Sequence, residues 1–467
     1  GKIKSKLRSV EIKALSKTAM TEYPSSSRPI LTKMVYAAFN GVTGRYYNYL
    51  QVRSKSHKVD VSYEVRLFKQ AYFRPEAEDM IRYYKENTLN FDWEAIKNWV
   101  EQRPGCNKID AELTRMLEEG FEINPINKIN VHVKLESLLK DDVTELPFQD
   151  QARVIAWQAK GICAMFSPTF IEAKKRLKSL FKRKIIYSDG LTPEVLSNIV
   201  GNFEIGDWYL ENDLTKQDRQ TDNAVIDIEF EIYNELGVNS KLLSLWRTIH
   251  NKWKWSTKFQ TSVLDQMSLT GQATTALGNV IVNLGCHSRF MLRYNSYINY
   301  MLVLGDDNLM NMNIKIDDKL LRREIADYYN MQSEANTHKF VGTFCQLLLY
   351  NNPFNRSQVG VDYLRLKLRY EVPNGVSEST EENNNARVLS YCCMLGKTPD
   401  TVRIVKTINE HLELPDWLDM QSCIHANALK HDVDEHTVLN WYGKLIQMME
   451  NRQVTQYKRL MYVEGKF

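Results

Sequence analysis

Two adjacent aspartates, Asp306 and Asp307, follow a glycine in the run Tyr300-Met301-Leu302-Val303-Leu304-Gly305-Asp306-Asp307-Asn308-Leu309-Met310. Apolar, β-prone residues lead in, so the pair is expected on a tight turn at the end of a buried strand. Gly305 can take backbone angles closed to other residues. Two acids this close repel each other unless a cation neutralises them. Hard divalent ions such as Mg²⁺ take oxygen from one or two carboxylates and share the rest of their shell with substrate phosphates. The turn is therefore a candidate metal and phosphate site. Gly-Asp-Asp is also an ordinary turn sequence, and most such pairs are only solvated.

Upstream lies a second acidic element, Glu211-Asn212-Asp213-Leu214-Thr215-Lys216-Gln217-Asp218-Arg219-Gln220, after Trp208-Tyr209-Leu210. Strand-then-turn geometry puts Asp213 at a strand end and Asp218 about one turn later, at the start of a helix. Carboxylates from the two elements could share a metal pair. Such ions lie about 3.5–4 Å apart and clamp the attacking and leaving oxygens of an in-line phosphoryl displacement. Asp218 would equally serve as a helix N-cap. Between the acidic elements, Ser268-Leu269-Thr270-Gly271-Gln272-Ala273-Thr274-Thr275 runs from small residues into a helical pattern. Thr275 and Asn279 are four apart and share a helix face. They offer a hydroxyl and an amide, groups suited to a sugar hydroxyl or a base edge. Small residues in a closely packed buried helix would read the same way.

An Asp-x4-Asp element, then Gly-x3-Thr-x3-Asn, then Gly-Asp-Asp, in that order, resembles motifs A, B and C of a viral RNA-dependent RNA polymerase. The local wording is similar to the alphavirus-like group of positive-strand RNA viruses, closterovirus-type enzymes included. In that group motif A often reads Asp-x-Ser-Lys-x-Asp-x-Ser-Gln, against Asp213-Leu214-Thr215-Lys216-Gln217-Asp218-Arg219-Gln220-Thr221 here. Motif B usually opens with Ser-Gly, against Thr270-Gly271. Lys134-Leu135-Glu136-Ser137-Leu138-Leu139-Lys140 and Gln151 to Lys160 look like motif F, the basic element over the incoming nucleotide. Asn336-Thr337-His338-Lys339-Phe340, then Gly342-Thr343-Phe344-Cys345, resembles the D and E region.

The resemblance implies a right-hand α+β fold of fingers, a palm with an antiparallel sheet flanked by helices, and a helical thumb. It implies template-directed RNA synthesis from ribonucleoside triphosphates, with Asp213, Asp306 and Asp307 as ligands of Mg²⁺, or of Mn²⁺ in its place. Lys339 would protonate the leaving pyrophosphate. Lys140, Arg153 and Lys160 would meet the triphosphate, where arginine suits planar bidentate contacts. Gly271 would line the nucleotide site. Asp218 and Asn279, supported by Thr275, would sense the ribose 2′-hydroxyl that separates RNA from DNA precursors. Expected partners are RNA template and product and other viral replicase proteins. The expected location is the host cytoplasm, in membrane-associated replication complexes.

These residues need large elements to position them. A chain of 467 residues suggests two or three lobes. The expected division is 1–202 for the N-terminal extension and fingers, with motif F at about 131–160. Residues 203–350 would form the palm, with a finger insertion at about 240–265, and 351–467 the thumb, with a flexible polar loop at 373–386. The composition, 43% hydrophobic and 25% charged, is that of an ordinary globular chain. A net charge of +4 is not diagnostic, but cations cluster in Lys174-Lys175-Arg176-Leu177-Lys178-Ser179-Leu180-Phe181-Lys182-Arg183-Lys184. Beside motif F, that run is expected to bind RNA backbone rather than line a solvated helix face. Seven scattered cysteines, with no disulfide framework or signal segment, point to a reducing compartment. No stretch is apolar enough for long enough to span a bilayer, so something else would anchor the chain to a membrane. The first residue, Gly1, suggests a processed or excised product.

Other signals are set aside. Cys423, His425, His431 and His436 lack a recognised zinc spacing. Gly396-Lys397-Thr398 lacks the first glycine of a phosphate loop, since Tyr391 stands there. Tyr46, Tyr47 and Tyr49 could stack on single-stranded bases, though packing is the commoner fate of such residues. A reverse transcriptase-like palm enzyme would share the acids, but the motif B wording and Asp218 favour ribonucleotides. A non-catalytic RNA-binding replication scaffold would explain the basic clusters and leave three ordered acids without a reason.

Overall fold

The computed structural model describes residues 58–119, 160–214, 222–249, 274–371 and 381–452. It also describes the backbone of strands Lys4–Leu7, Glu11–Ala19, Lys128–Val133, Val154–Gln158, Lys252–Ser256, Gln260–Asp265 and Tyr457–Lys466. Eight other strands build the centre: β1 (Ile185–Tyr187), β2 (Trp208–Asp213), β3 (Ile298–Leu304), β4 (Asp307–Met312), β5 (Asn336–Lys339), β6 (Val341–Phe344), β7 (Leu347–Asn351) and β8 (Ser357–Val361). The first five form one sheet in the order β5-β2-β4-β3-β1. Its pairings are antiparallel except β1 with β3, which is parallel. β6, β7 and β8 form a separate three-stranded antiparallel sheet.

The strands alternate as half-sandwiched strands must. Leu210, Met301, Val303 and Met310 enter the large core shared with helices Val61–Tyr72, Lys160–Leu180, Asn223–Glu235 and Thr275–Arg293. Tyr209, Tyr300, Leu302 and Leu309 point the other way, against Phe344, Leu349 and Val359 of the smaller sheet. A third core gathers helices Glu381–Leu395, Pro399–Lys406, Met420–His431 and Glu435–Glu450. This mixed architecture, with an antiparallel-rich sheet at its centre, agrees with the expected α+β class.

Strands Lys252–Ser256 and Gln260–Asp265 join Lys4–Leu7, Lys128–Val133 and Val154–Gln158 in a second five-stranded sheet. The stretch inserted between the acidic elements thus pairs with strands of the first 202 residues. Helix Glu381–Leu395 begins inside the polar segment expected as a loop at 373–386, whose first part, 373–380, lies outside the described residues. Glu381 and Glu382 occupy its first turn, where the helix dipole favours carboxylates. Among the described residues, no helix is long and apolar enough to cross a membrane.

The basic run at 174–184 is engaged internally. Lys174 and Lys178 reach Asp189 at 2.8 and 3.0 Å, and Lys175 reaches Glu172 at 2.9 Å. Arg176 donates to the carbonyls of Tyr84, Leu236 and Asn87. Lys182 donates to Gln70 O, and Lys184 to Asn295 O and Ile298 O. Arg183 lies over the Phe203 ring. These cations close the end of helix Lys160–Leu180 onto its neighbours, a structural role beside the expected binding of RNA backbone.

Candidate active site

The strand pairing brings the two acidic elements together. Asp213, the last residue of β2, stands opposite Asp307, the first residue of β4. Gly305, at φ +56°, and Asp306 make the turn from β3 to β4. Leu214 N donates to Asp306 O at 3.4 Å, and Glu334 N to Asp213 O at 2.9 Å, so the strand end is held from both sides. The carboxyls of Asp213 and Asp306 stand close together. Both residues open to solvent, whereas Asp307 is half-buried.

Although Asp213 is exposed at its outer edge, the protein around its carboxyl partly desolvates it; that desolvation, then the negative charges of Asp306 and Asp307, push the Asp213 carboxyl up to about 7. Burial also raises Asp307, to about 6, against a bond from Cys345 that favours its ionised form. That bond runs from Cys345 N to Asp307 Oδ2 at 2.8 Å. It comes from the turn joining β6 to β7, where Cys345 and Gln346 both have positive φ, +47° and +65°. Such angles favour glycine or asparagine, and holding other residues there costs about 1–3 kcal/mol each. The contact with Asp307 helps fix that turn.

The opposite face of the sheet carries a buried polar ladder. Asn283 Nδ2 donates to Gly305 O and to Asp307 O, each at 3.0 Å. Asn308 Nδ2 donates to Asn283 Oδ1 at 3.1 Å. His287 Nδ1 lies 2.7 Å from Asn283 O, and its Nε2 lies 2.8 Å from Asn212 Nδ2. Burial holds the His287 imidazole down at about 4, so it is neutral near pH 7. Sequence reading missed Asn283 and His287. The signal was available: they continue the Thr275 and Asn279 face in steps of four.

Thr275 opens helix Thr275–Arg293 and Asn279 follows one turn on. Asn279 is about 6 Å along the axis from Asn283, which touches the Gly305–Asp307 turn. The structure thus brings Asp213, Asp306, Asp307 and the Asn279 face together. It does not bring Lys339. That residue pairs with Trp208 at the far end of β2, five residues and roughly 17 Å from Asp213. Its Nζ lies over the Trp208 and Phe340 rings. Antiparallel register sets Lys339 at the end of β2 away from the acids. Lys160 is exposed at the first position of helix Lys160–Leu180. Lys140, Arg153, Asp218 and Gly271 lie outside the described residues.

The donor set suits a hard cation. Asp213 and Asp306 are crowded oxygen donors, and among the described residues no lysine or arginine forms an ion pair with them. Among the described residues no three His, Cys, Asp or Glu side chains converge as metal ligands, consistent with Asp307 Oδ2 being turned to Cys345 N. Elsewhere, Cys423 donates to Val361 O, His425 meets Glu435 and His431 meets Asp362. Thr398 caps helix Pro399–Lys406.

The chain is similar in sequence to several viral replicases. It is 25% identical over 224 residues to replicase polyprotein 1ab of Beet yellows virus (isolate Ukraine), covering 46% of this chain and 7% of that protein. It is 27% identical over 158 residues to RNA-directed RNA polymerase 2a of Alfalfa mosaic virus, covering 33% of this chain and 20% of that protein. It is 22% identical over 232 residues to the replicase large subunit of Tobacco mosaic virus (strain B935A), covering 48% and 14%. The chain therefore spans at most about a fifth of these relatives. The curated matches include replicases of alphavirus-like viruses, the group its motif wording resembles. The profile of the RNA dependent RNA polymerase family matches residues 6–357, and the motif order, the paired acids and this match together place the chain in that family.

Proposed function

We propose that the chain carries out template-directed RNA synthesis, joining ribonucleoside triphosphates to an RNA 3′-hydroxyl in the replication of a positive-strand RNA genome. The observation that carries this reading is the register of β2 on β4, which sets Asp213 against the Gly305-Asp306-Asp307 turn. Asp213 and Asp306 would hold Mg²⁺, with Asp307 assisting. When bound, the ion supplies charge neutralisation and activation of oxygen nucleophiles. Asn279 and Thr275 offer an amide and a hydroxyl to the ribose; Asp218 would join in sensing its 2′-hydroxyl, and Gly271 would line the nucleotide site. Lys140, Arg153 and Lys160 would neutralise charge on the triphosphate. In this reading 1–202 forms the fingers, 203–350 the palm and 351–467 the thumb. The chain would work in the host cytoplasm with other replicase proteins, on membranes to which these anchor it.

The test is nucleotide incorporation on an RNA template with Mg²⁺, offering ribo- and deoxyribonucleotides separately. Ribonucleotide-specific synthesis is expected, and Asp306→Asn should lower it at least about 100-fold. Full activity in that variant would refute the metal assignment. RNA binding without synthesis in wild type would favour a scaffold.

A further inference from the structure

Four buried polar side chains stand directly behind the acids. Asn283 and His287 are fully buried, as is Asn308, and Asn212 is 1% exposed. Asn212 precedes Asp213, and Asn308 follows Asp307, so each acid has a neighbour tied to helix Thr275–Arg293. The hydrogen bonds have one consistent assignment. His287 Nδ1–H donates to Asn283 O, and Nε2 accepts from Asn212. Asn283 gives its amide hydrogens to the carbonyls of Gly305 and Asp307, which bracket Asp306. Apolar side chains of similar volume would fill this space without the cost of burying polar groups. What they could not do is fix the turn in one register and one orientation.

We infer that Asn283, seated by His287, is a positioning residue: it locks the Gly305–Asp307 turn to the helix bearing Thr275 and Asn279, and so sets where the Asp213 and Asp306 carboxylates stand. The inference rests on the polymerase reading. Asn283 touches neither substrate nor ion and acts through the turn.

The test compares wild type, Asn283→Leu and Asn283→Asp, with Ser288→Ala as control. Leu removes the donors, and Asp keeps the shape but presents oxygens to two carbonyls. Ser288 Oγ donates to Leu284 O on the same helix, away from the turn. Three quantities are measured: thermal midpoint, Mn²⁺ affinity by electron paramagnetic resonance of the free ion, and single-nucleotide addition on a primed RNA template. Both Asn283 variants should lose about 10–100-fold in kcat with nucleotide KM nearly unchanged, and should bind Mn²⁺ several-fold more weakly. Ser288→Ala should change neither. If Asn283→Leu does not fold, Asn283→Ser takes its place with the same expectation. Folded Asn283 variants with wild-type kcat and Mn²⁺ affinity would overturn the inference, as would an equal kcat loss in Ser288→Ala. Absence of synthesis by wild type would sink the polymerase reading instead. The Mn²⁺ titration would then judge Asn283 by itself, unchanged affinity counting against it.

Discussion

Asp213 and Glu229 are carboxyls raised to about the same value, 7, but with different neighbours. Burial comes first for both, yet Asp213 also faces two further aspartates at an open strand end. A cation can relieve that repulsion. Glu229 is 3% exposed, takes a 2.9 Å bond from Tyr233 OH, and packs where a Cβ on Gly278 would meet it. No repelling acid raises it, and the Arg247 charge opposes the shift. Its folded value lies above its unfolded 4.5, so the folded state binds more protons between pH 4.5 and 7. Stability from this group is present below that window and lost as pH rises through it. Glu229→Gln should therefore stabilise the chain at pH 8, by up to about 3 kcal/mol, and change little at pH 4.5. Melting curves at the two pH values check this; an equal shift at both would count against the assignment.

The unit that matters among elements is the contact between the two central sheets. Strand β6 crosses close over β2 and β4 because Gly342 has no side chain. A Cβ there would stand 2.8 Å from Tyr209 Cβ and 3.0 Å from Leu309 Cδ1. Gly342→Ala should push β6 outward, lower stability by about 1–3 kcal/mol, and strain the Cys345–Asp307 bond at the end of the same strand. A denaturant melt together with the incorporation assay would show both effects. A variant as stable and active as wild type would mean the sheets adjust freely. Sequence reading found the β3–β4 turn and the helix after Gly271, since apolar periodicity and turn chemistry are local. It did not find that Lys339 lies far from the acids, because register between distant strands is set by packing. The internal partners of the cations at 174–184 were hidden for a similar reason. Charge is visible in a sequence, but the carbonyls that use it are not.

At the scale of the molecule, the C-terminal helices are tied to the end of β8 by a buried clasp. Asp362, 4% exposed, accepts from Lys430 Nζ at 2.8 Å and His431 Nε2 at 2.9 Å. Asn427 donates to Val361 O and accepts from Tyr363 N. Burial works to raise the Asp362 carboxyl, but the His431 bond and the Lys430 charge outweigh it and hold the carboxyl far below the usual range. A depressed carboxyl contributes stability above its unfolded value and loses it as pH falls below. Asp362→Asn should cost about 3 kcal/mol near neutral pH, with the difference from wild type shrinking below about pH 4. A pH series of melts measures this; a gap that stays constant into acid would exclude the ion pair as its source.

The sequence by itself determined the ordered acids, the turn at Gly305, the helix face of Thr275 and Asn279, and the family those motifs resemble. Each depends on residue type and short spacing, which the chain carries without folding. Only the tertiary structure decided that Asp213 sits opposite Asp307, that Asp307 Oδ2 is taken by Cys345 N, and that Asn283 and His287 stand behind the turn. Those facts depend on contacts that span 22 to 94 positions, fixed when apolar faces of sheet and helix bury against each other.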